Sequence, residues 1–333
     1  MVVAADGALG SSRSYCGLGG SGGGIILVNG VNYTAPHTVH LNDDGYFIGS
    51  TIQPVFGVGD ASEVTFGGSI IVEKHNAPLG ATTAGGIIHL TGAISGASSN
   101  TLSIIGPGTV SIEGNNTFTG PIAAPVSILA GSGTVRGPVT KTNGRLNPGT
   151  PAAIGTLTIS NSLSLVGSSL KTTFRITNDG GQTNDKIAGL TSVTFGGQLI
   201  VTNIGVTPLV AGDSFQLFSA GSYSGGFTSI ILPALSGSLV WNTNDLAVDG
   251  TISVVNPAPP APTIDPVYLA GGNIVISTPT VSGAEYVLET APSLEPPVTW
   301  TPVITNNGTG GSITNLIPVN PATPKTFYRY EAR

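Results

Sequence analysis

Apolar and polar residues alternate over short runs through most of this sequence, which is the two-residue period of a strand with one buried face. The stretch 106–166 shows the pattern best, with runs at 109–112, 157–159 and 163–165. Gly, Asn and Pro separate the runs, β-branched and small side chains dominate them, and nothing there has helical spacing. The pattern predicts short strands that turn sharply and stack on one another.

Strand-like runs continue on both sides of this stretch. Before it, Glu63–Phe66 and Ser69–Val72 flank a Gly67-Gly68 bend. A spacing of about ten residues per strand is typical of a β-helix with irregular turns, or of a large β-sandwich. We therefore predict an all-β chain, and the further runs lie at 25–28, 86–91, 101–105, 171–176, 193–195, 198–201, 215–218, 227–232 and 239–241.

A Pro-rich segment divides the chain. Residues 256–262 read NPAPPAP, and such a run favours an extended spacer over a helix or a central strand. The segment 263–333 has closely spaced strands around Trp300, which predicts a small immunoglobulin-like β-sandwich. The predicted organisation is a Gly-rich segment at 1–30, a β-solenoid at 31–255, a linker at 256–262 and the sandwich at 263–333.

Composition narrows the function classes. Charged residues make up 8% of the chain and the net charge is -6, so the surface must be mostly neutral and polar. Nucleic acids and anionic membranes require a basic patch that this sequence lacks. No apolar run is long enough for a membrane-spanning helix. With 49 Gly and 24 Pro against 40% hydrophobic residues, a packed core is expected instead of low-complexity disorder.

The segment 1–30 contains the one cysteine and a Gly-rich run. Residues 17–22 satisfy a dinucleotide-binding fingerprint literally, but a β-type run follows where a helix is required. We interpret the run as a flexible segment or a tight turn, and the segment as a candidate exchanged strand. Cys16 has no partner for an internal disulfide and is expected to be a buried or inert thiol, with a disulfide between two chains as the less favoured alternative. No signal peptide is visible, so an exported protein would be a processed form or a piece of a longer one.

Four motifs carry a family resemblance: 114–120 (GNNTFTG), 131–137 (GSGTVRG), 144–149 (GRLNPG) and 154–159 (IGTLTI). They resemble the autotransporter-associated β-strand repeats of bacterial surface proteins, and the order of later features is similar as far as residue 255. The resemblance covers 106–255, and the pattern at 286–328 is similar to C-terminal modules that follow such repeats. It implies a β-helical passenger at the surface of a bacterium or outside the cell.

Candidate chemistry is sparse. Asp43 and Asp44 share one turn, and Asp179 and Asp185 flank a Gly- and Asn-rich loop, so each pair offers oxygens to calcium. Ordinary Asx turns are the alternative. His37 and His40 are predicted on opposite faces of a strand and so make a poor metal pair. His75 and His89 could align on neighbouring turns, although single histidines in strands are usually packing or surface residues. No other cofactor is expected.

These observations favour a secreted structural subunit that assembles end to end into a fibre, sheath or surface layer, and not an enzyme. Open solenoid ends expose unpaired backbone groups, and low charge offers little repulsion against self-association. A monomeric adhesin that binds glycans or surfaces is the first alternative. A β-helical carbohydrate-active enzyme is the second, although the sequence shows no cluster of carboxylates or nucleophile motif for it.

Overall fold

The structure, a computed structural model, describes residues 1–10, 13–16, 24–42, 46–48, 51–181, 183–257, 259–322 and 325–333. They form two compact units, Met1–Val255 and Asn256–Arg333. Both units are built of β-strands, and the single helical element of the described residues is a 3₁₀ turn at Asn244–Ala247. The predicted all-β class is confirmed.

The strands of the first half of unit one are short. They are β1 (Val2–Val3), β2 (Arg13–Cys16), β3 (Ile25–Leu27), β4 (Asn32–Tyr33), β5 (Thr38–Leu41), β6 (Tyr46–Ile48), β7 (Thr51–Gln53), β8 (Phe56–Val58), β9 (Glu63–Phe66), β10 (Ser69–Val72), β11 (Ala77–Ala81), β12 (Ile87–Leu90), β13 (Ile94–Gly96), β14 (Leu102–Ile105), β15 (Thr109–Ile112) and β16 (Ile122–Ala124).

The second half of unit one continues in the same way. Its strands are β17 (Ile128–Gly131), β18 (Thr134–Val135), β19 (Val139–Lys141), β20 (Arg145–Pro148), β21 (Thr156–Ile159), β22 (Ser162–Leu165), β23 (Lys171–Thr177), β24 (Thr183–Asn184), β25 (Lys186–Leu190), β26 (Ser192–Phe195), β27 (Gln198–Asn203), β28 (Ser214–Gln216), β29 (Phe218–Ala220), β30 (Tyr223–Gly225), β31 (Ser229–Ile231), β32 (Val240–Asn242) and β33 (Thr251–Val255).

Three faces of parallel strands surround one core in unit one. Sheet I has the order β1-β3-β8-β11-β14-β16-β19-β22-β26-β30, and sheet II has the order β4-β9-β12-β15-β17-β20-β23-β27-β31. Sheet III consists of β2-β5-β10-β13 and β18-β21-β25-β29, with an isolated bridge between Asn115 and Thr134 in the gap. Parallel pairing of strands from successive turns defines a β-solenoid, so the large β-sandwich alternative does not apply to this unit.

The turns of the solenoid differ in length. The aligned residues Ile122 and Val139 of sheet I are 17 positions apart, whereas Ile25 and Phe56 are 31 apart. The longer turn contains β6 and β7, which form a two-stranded sheet of their own, and the alignment within sheet I is kept. This irregularity explains why no fixed repeat length is visible in the sequence.

The core consists of side chains stacked in register. In sheet II one inward column is fully buried, because each of its members lies directly above the last and leaves no gap for water. Phenylalanines pack near both ends, with Phe56 against Phe66 and Phe174 against Phe218. The column contains Val64, Ile88, Val110, Leu129, Leu146, Thr172 and Leu199.

Glycines line the corner between sheets II and III. A Cβ atom added to Gly92 would lie 2.0 Å from the carbonyl oxygen of Gly68. The same atom on Gly114 would lie 2.2 Å from the oxygen of Gly92, and on Gly133 it would lie 2.4 Å from that of Gly114. Any side chain at Gly92, Gly114 or Gly133 would therefore collide with the turn before it. We call Gly68, Gly92, Gly114 and Gly133 the glycine ladder.

A buried asparagine fills the gap in sheet III. Asn116 Oδ1 accepts a hydrogen bond from the Ile94 N–H at 2.7 Å, and its Nδ2 donates to the Thr134 carbonyl at 2.8 Å and to the Gly114 carbonyl at 3.2 Å. The side chain thus supplies the hydrogen bonds that a strand would make at this level. It connects β13 below to β18 above.

The N-terminal segment pairs within its own chain: β1 lies beside β3, β2 beside β5, and β3 beside β8. At the other end of the unit, β28, β33 and β32 form an antiparallel sheet. Its residues Phe215, Ile252 and Val254 are buried in the same core as the solenoid strands. The other antiparallel pairs in unit one are β6 with β7 and β23 with β24.

Unit two is a small antiparallel sandwich, as predicted. Its buried centre includes Tyr286, Leu288 and Tyr330, and the Tyr330 hydroxyl accepts a hydrogen bond from Asn315 at 2.8 Å. Two sheets have the orders β34-β35-β38 and β37-β36-β39. The strands are β34 (Tyr268–Ala270), β35 (Asn273–Pro279), β36 (Glu285–Ala291), β37 (Thr301–Asn307), β38 (Ser312–Pro318) and β39 (Phe327–Ala332).

Candidate functional site

The outward face of sheet II carries a pocket of about 230 Å³. Because neighbouring residues of a strand point to opposite faces, the side chains beside the buried column face outward here. Five of them, from five successive strands, form the floor. Residues 148–151, which follow β20, also line the pocket, together with Arg175 and Asp185. The floor residues are Ile87, Thr109, Ala130, Asn147 and Thr173.

An ion pair fixes the loop beside this floor. Asp185 is 1% exposed, and its Oδ2 lies 2.7 Å from Arg175 Nε while its Oδ1 lies 3.0 Å from Arg175 Nη2. The carboxylate also accepts hydrogen bonds from the backbone N–H groups of Gly155 and Arg175, both at 2.9 Å. Arg175 Nη2 donates to the carbonyls of Thr150 at 2.9 Å and Ala153 at 2.6 Å. The pair therefore holds residues 150–155 in place.

A second polar cluster lies on the same face. His89 Nε2 is 2.7 Å from Glu63 Oε1, and His89 Nδ1 is 2.5 Å from Glu113 Oε1. Ser111 donates a hydrogen bond to the same Glu113 oxygen at 2.6 Å. With a carboxylate at each ring nitrogen, the imidazole donates in both directions, which requires its protonated form. The cluster therefore consists of an imidazolium between two carboxylate side chains.

The pKa of His89 reflects two opposing effects. Burial alone would lower it, but the hydrogen bonds and negative charges of Glu113 and Glu63 outweigh burial and raise the pKa above its ordinary value. A raised folded-state pKa adds stability that is fully present below the unfolded-state value of about 6.5 and is lost as the pH rises through the folded-state value.

We therefore expect the stability difference between the wild type and His89→Gln to shrink as the pH is raised from about 6 to 9. Glutamine does not titrate, so the part of the stability difference that changes with pH comes from the proton on His89. Urea denaturation midpoints at several pH values measure this difference. A difference that stays constant or grows with pH would contradict the assigned protonation.

Lys141 is a buried charge that the sequence did not single out. Its side chain is inaccessible to solvent, and its Nζ donates to the carbonyls of Ala124 at 2.9 Å and Ser127 at 2.6 Å, and also to that of Asn143. Burial lowers the pKa of Lys141 to about 8. Because these carbonyls belong to two successive turns, the residue ties the turns of the solenoid together at a corner of sheet I.

In the described part of the structure, the candidate calcium ligands do not lie together in one group. Asp43 and Asp44 lie outside the described residues. Asp179 is exposed and accepts hydrogen bonds from the N–H groups of Val206 and Thr207, and bonds from Thr207 and Val206 lower its pKa. Asp185 is paired with Arg175. Among described residues no three His, Cys, Asp or Glu side chains are arranged to hold a metal, and calcium stays a prediction.

The remaining histidines have separate partners. His40 bonds to Glu73 at 2.6 Å and stacks on Tyr15. His37 contacts Gly10 and Ser14. The expected alignment of His75 with His89 is wrong, because the strand neighbours of His89 are Thr65 and Ser111. His75 follows β10 and lies near Thr101, since the chain turns directly after that strand.

Cys16 is buried in β2, in agreement with the expectation of a buried thiol. The residue is 1% exposed, and burial raises the pKa of its thiol to about 11. A thiol that remains protonated at neutral pH is a poor nucleophile and a poor metal ligand.

Fold and site together define an all-β protein with a parallel β-solenoid, a pocketed outer face and a small antiparallel sandwich. Neither a scan against protein-family models nor a search of the curated proteins found a match. The resemblance to autotransporter-associated repeats therefore stays a prediction. In the described part of the chain no helix is long and apolar enough to cross a membrane.

Proposed function

We propose that the protein is a secreted structural subunit that assembles end to end into an extracellular fibre, sheath or surface layer of a bacterium. The observation that carries the proposal is the free edge of sheet II at β31. Ser229, Ile230 and Ile231 are all exposed, and within the described chain β31 pairs on one side only, with β27. An exposed apolar edge strand is a template for pairing with another chain.

The side chains of β31 continue those of the solenoid. Ile230 is aligned with the buried core residue Leu199, yet it is 39% exposed, and Ile231 beside it is 49% exposed. A further strand laid along this edge would bury both isoleucines and satisfy the open backbone groups. Burial of apolar surface contributes about 25 cal/mol per Å², so covering them favours association.

A second copy of the chain is a suitable occupant of this edge. The strands of sheets I and II are all parallel, so a head-to-tail copy would extend both sheets without reversing their direction. Such a stack would place β30 and β31 beside β1 and β4 of the next copy. The low charge of the chain, 8% of residues, adds little repulsion.

The test is negative-stain electron microscopy and sedimentation of the full chain at rising concentration, for the wild type, Ile231→Lys and Val206→Lys. We expect wild-type filaments that are lost in Ile231→Lys, because a lysine on an edge strand blocks pairing. Val206 is 93% exposed and lies outside β31, so the same change there controls for added charge. Filaments should persist in that variant.

Two outcomes would overturn the proposal. If all three proteins remain monomeric at every concentration, the chain does not assemble by itself, and the monomeric adhesin alternative is favoured. If Ile231→Lys forms the same filaments as the wild type, the contact lies elsewhere than at β31. No catalytic role belongs to this proposal.

A further inference from the structure

The pocket on sheet II has the size and the mixed apolar and polar lining of a small-molecule binding site. Its volume of about 230 Å³ equals that of about eight liquid waters, at about 30 Å³ each. That is room for one ring-sized group and too little for an extended one. The floor combines apolar contacts from Ile87 and Ala130 with polar side chains from Thr109, Asn147 and Thr173.

Two floor residues have unmet hydrogen-bonding capacity. The Oδ1 atom of Asn147 and the Oγ1 atom of Thr173 are both buried and have no hydrogen-bond partner in the protein. Buried polar atoms are nearly always paired, so two such atoms among the residues of one pocket need an explanation. The amide oxygen only accepts, so it requires a donor such as a hydroxyl group, and a hydroxyl also suits the threonine oxygen.

Charge at the site is already balanced within the protein. The guanidinium of Arg175 is paired with Asp185, and its remaining bonds go to backbone carbonyls of the loop that lines the pocket. Neither charge is therefore left to attract an ionic ligand. A neutral ligand is favoured over an anionic one on these grounds.

We propose that this pocket binds one unit of a neutral sugar. A pyranose ring offers several hydroxyl groups that both donate and accept, and its C–H face suits the apolar side chains of Ile87, Pro148 and Pro151. The loop at 148–151 forms the wall, and the Arg175–Asp185 pair keeps that wall in place before the ligand arrives. The inference rests on the pocket alone and does not depend on end-to-end assembly.

The test uses isothermal titration of the full chain with the methyl glycosides of glucose, galactose, mannose and N-acetylglucosamine, and with methyl glucuronide as the anionic probe. We expect at least one neutral glycoside to bind with a Kd of about 1 mM, as suits a small pocket with few contacts, and methyl glucuronide to bind at least ~10-fold more weakly.

Variants then assign the binding to the pocket. Thr173→Val removes one hydroxyl at constant shape, and Asn147→Leu removes the amide from a side chain of similar branching. Each should weaken binding ~10-fold or more, which corresponds to about one lost hydrogen-bonding group. Thr140→Val is the matched control, because Thr140 is an exposed strand residue on sheet I. Its affinity should equal that of the wild type.

The proposal is overturned if no neutral glycoside binds at ~20 mM, which is far above the expected Kd. It is also overturned if both pocket variants bind as the wild type does, or if the glucuronide binds more tightly than every neutral sugar. Filament formation is scored separately, so failure of this proposal is distinguishable from failure of the assembly proposal. Thr173→Val removes only one unpartnered hydroxyl group, so it keeps the test valid if Asn147→Leu fails to fold.

Discussion

Replacement of Gly114 by alanine is expected to lower the free energy of unfolding of the solenoid by about 3 kcal/mol, at the upper end of what overpacking costs. The new Cβ would lie 2.2 Å from the Gly92 carbonyl oxygen. That atom belongs to the backbone and cannot rotate away, so two turns must separate and the parallel ladders on both sides must stretch. Urea denaturation followed by circular dichroism measures the change.

Gly226→Ala is the control for this substitution. A Cβ at Gly226 meets no atom within 4 Å, and the backbone there does not require a positive φ. We expect a change within about 0.5 kcal/mol, as for most surface substitutions. Equal losses at Gly114 and Gly226 would show that the glycine ladder does not determine the spacing between turns.

The second large effect is expected at the buried ion pair. Asp185→Asn should lower the free energy of unfolding by about 2–4 kcal/mol, because it leaves the guanidinium of Arg175 without its counter-charge. The arginine side chain is 23% exposed, so solvent relieves part of this penalty. The loop at 150–155 should also lose order, since the same guanidinium binds its carbonyls. Denaturation measures the first effect, and hydrogen exchange of the Gly155 amide measures the second.

Glu63→Gln provides the comparison, since it also converts a paired carboxylate into an amide. Glu63 has a 61% exposed side chain, and exposed pairs contribute about 1 kcal/mol or less. We expect Asp185→Asn to be clearly the more destabilising change and the only one that increases exchange at Gly155. The assignment of Asp185 as the anchor of the loop fails if exchange there is unaffected.

The strands of the solenoid were predictable from sequence because each buries one face. The expected runs at Glu63–Phe66, Ser69–Val72 and Thr109–Ile112 coincide with β9, β10 and β15. Each solenoid strand has one side toward the core and the other toward solvent, so its apolar and polar residues alternate. This alternation depends only on residues within the strand. The same reasoning predicted closely spaced strands around Trp300, and β36 and β37 lie on either side of that residue in the sequence.

The register between successive turns was not predictable, because it depends on the number of residues in each segment that connects two strands. His89 illustrates the difficulty. Its neighbours Glu63 and Glu113 are 26 and 24 positions away, and no fixed repeat length brings all three together. The pocket escaped prediction for the same reason, since its floor takes one residue from each of five strands. Asp185 was recognised as a candidate ligand, but its partner Arg175 was not.

Close contact between successive turns explains several glycines in the motifs at 114–120 and 131–137. Gly114 and Gly133 belong to the glycine ladder, and Gly137 makes an equally close approach, with a Cβ there only 1.8 Å from the Gly120 carbonyl oxygen. Asn116, in the motif at 114–120, supplies hydrogen bonds where sheet III has no strand. The motif spacing therefore follows from the corners of the coil, where the backbone of one turn touches that of the next.

Because the turns differ in length while their strands stay aligned, the strands and the segments between them have different roles in this chain. Strands carry alignment and stability, whereas the segments between them carry variation: the loop that lines the pocket occupies such a position, between β20 and β21. An exchange of residues 150–154 for another short sequence would thus alter the recognition surface while the core columns stay in place. As an engineering scaffold, the solenoid offers an interchangeable display position on a rigid support.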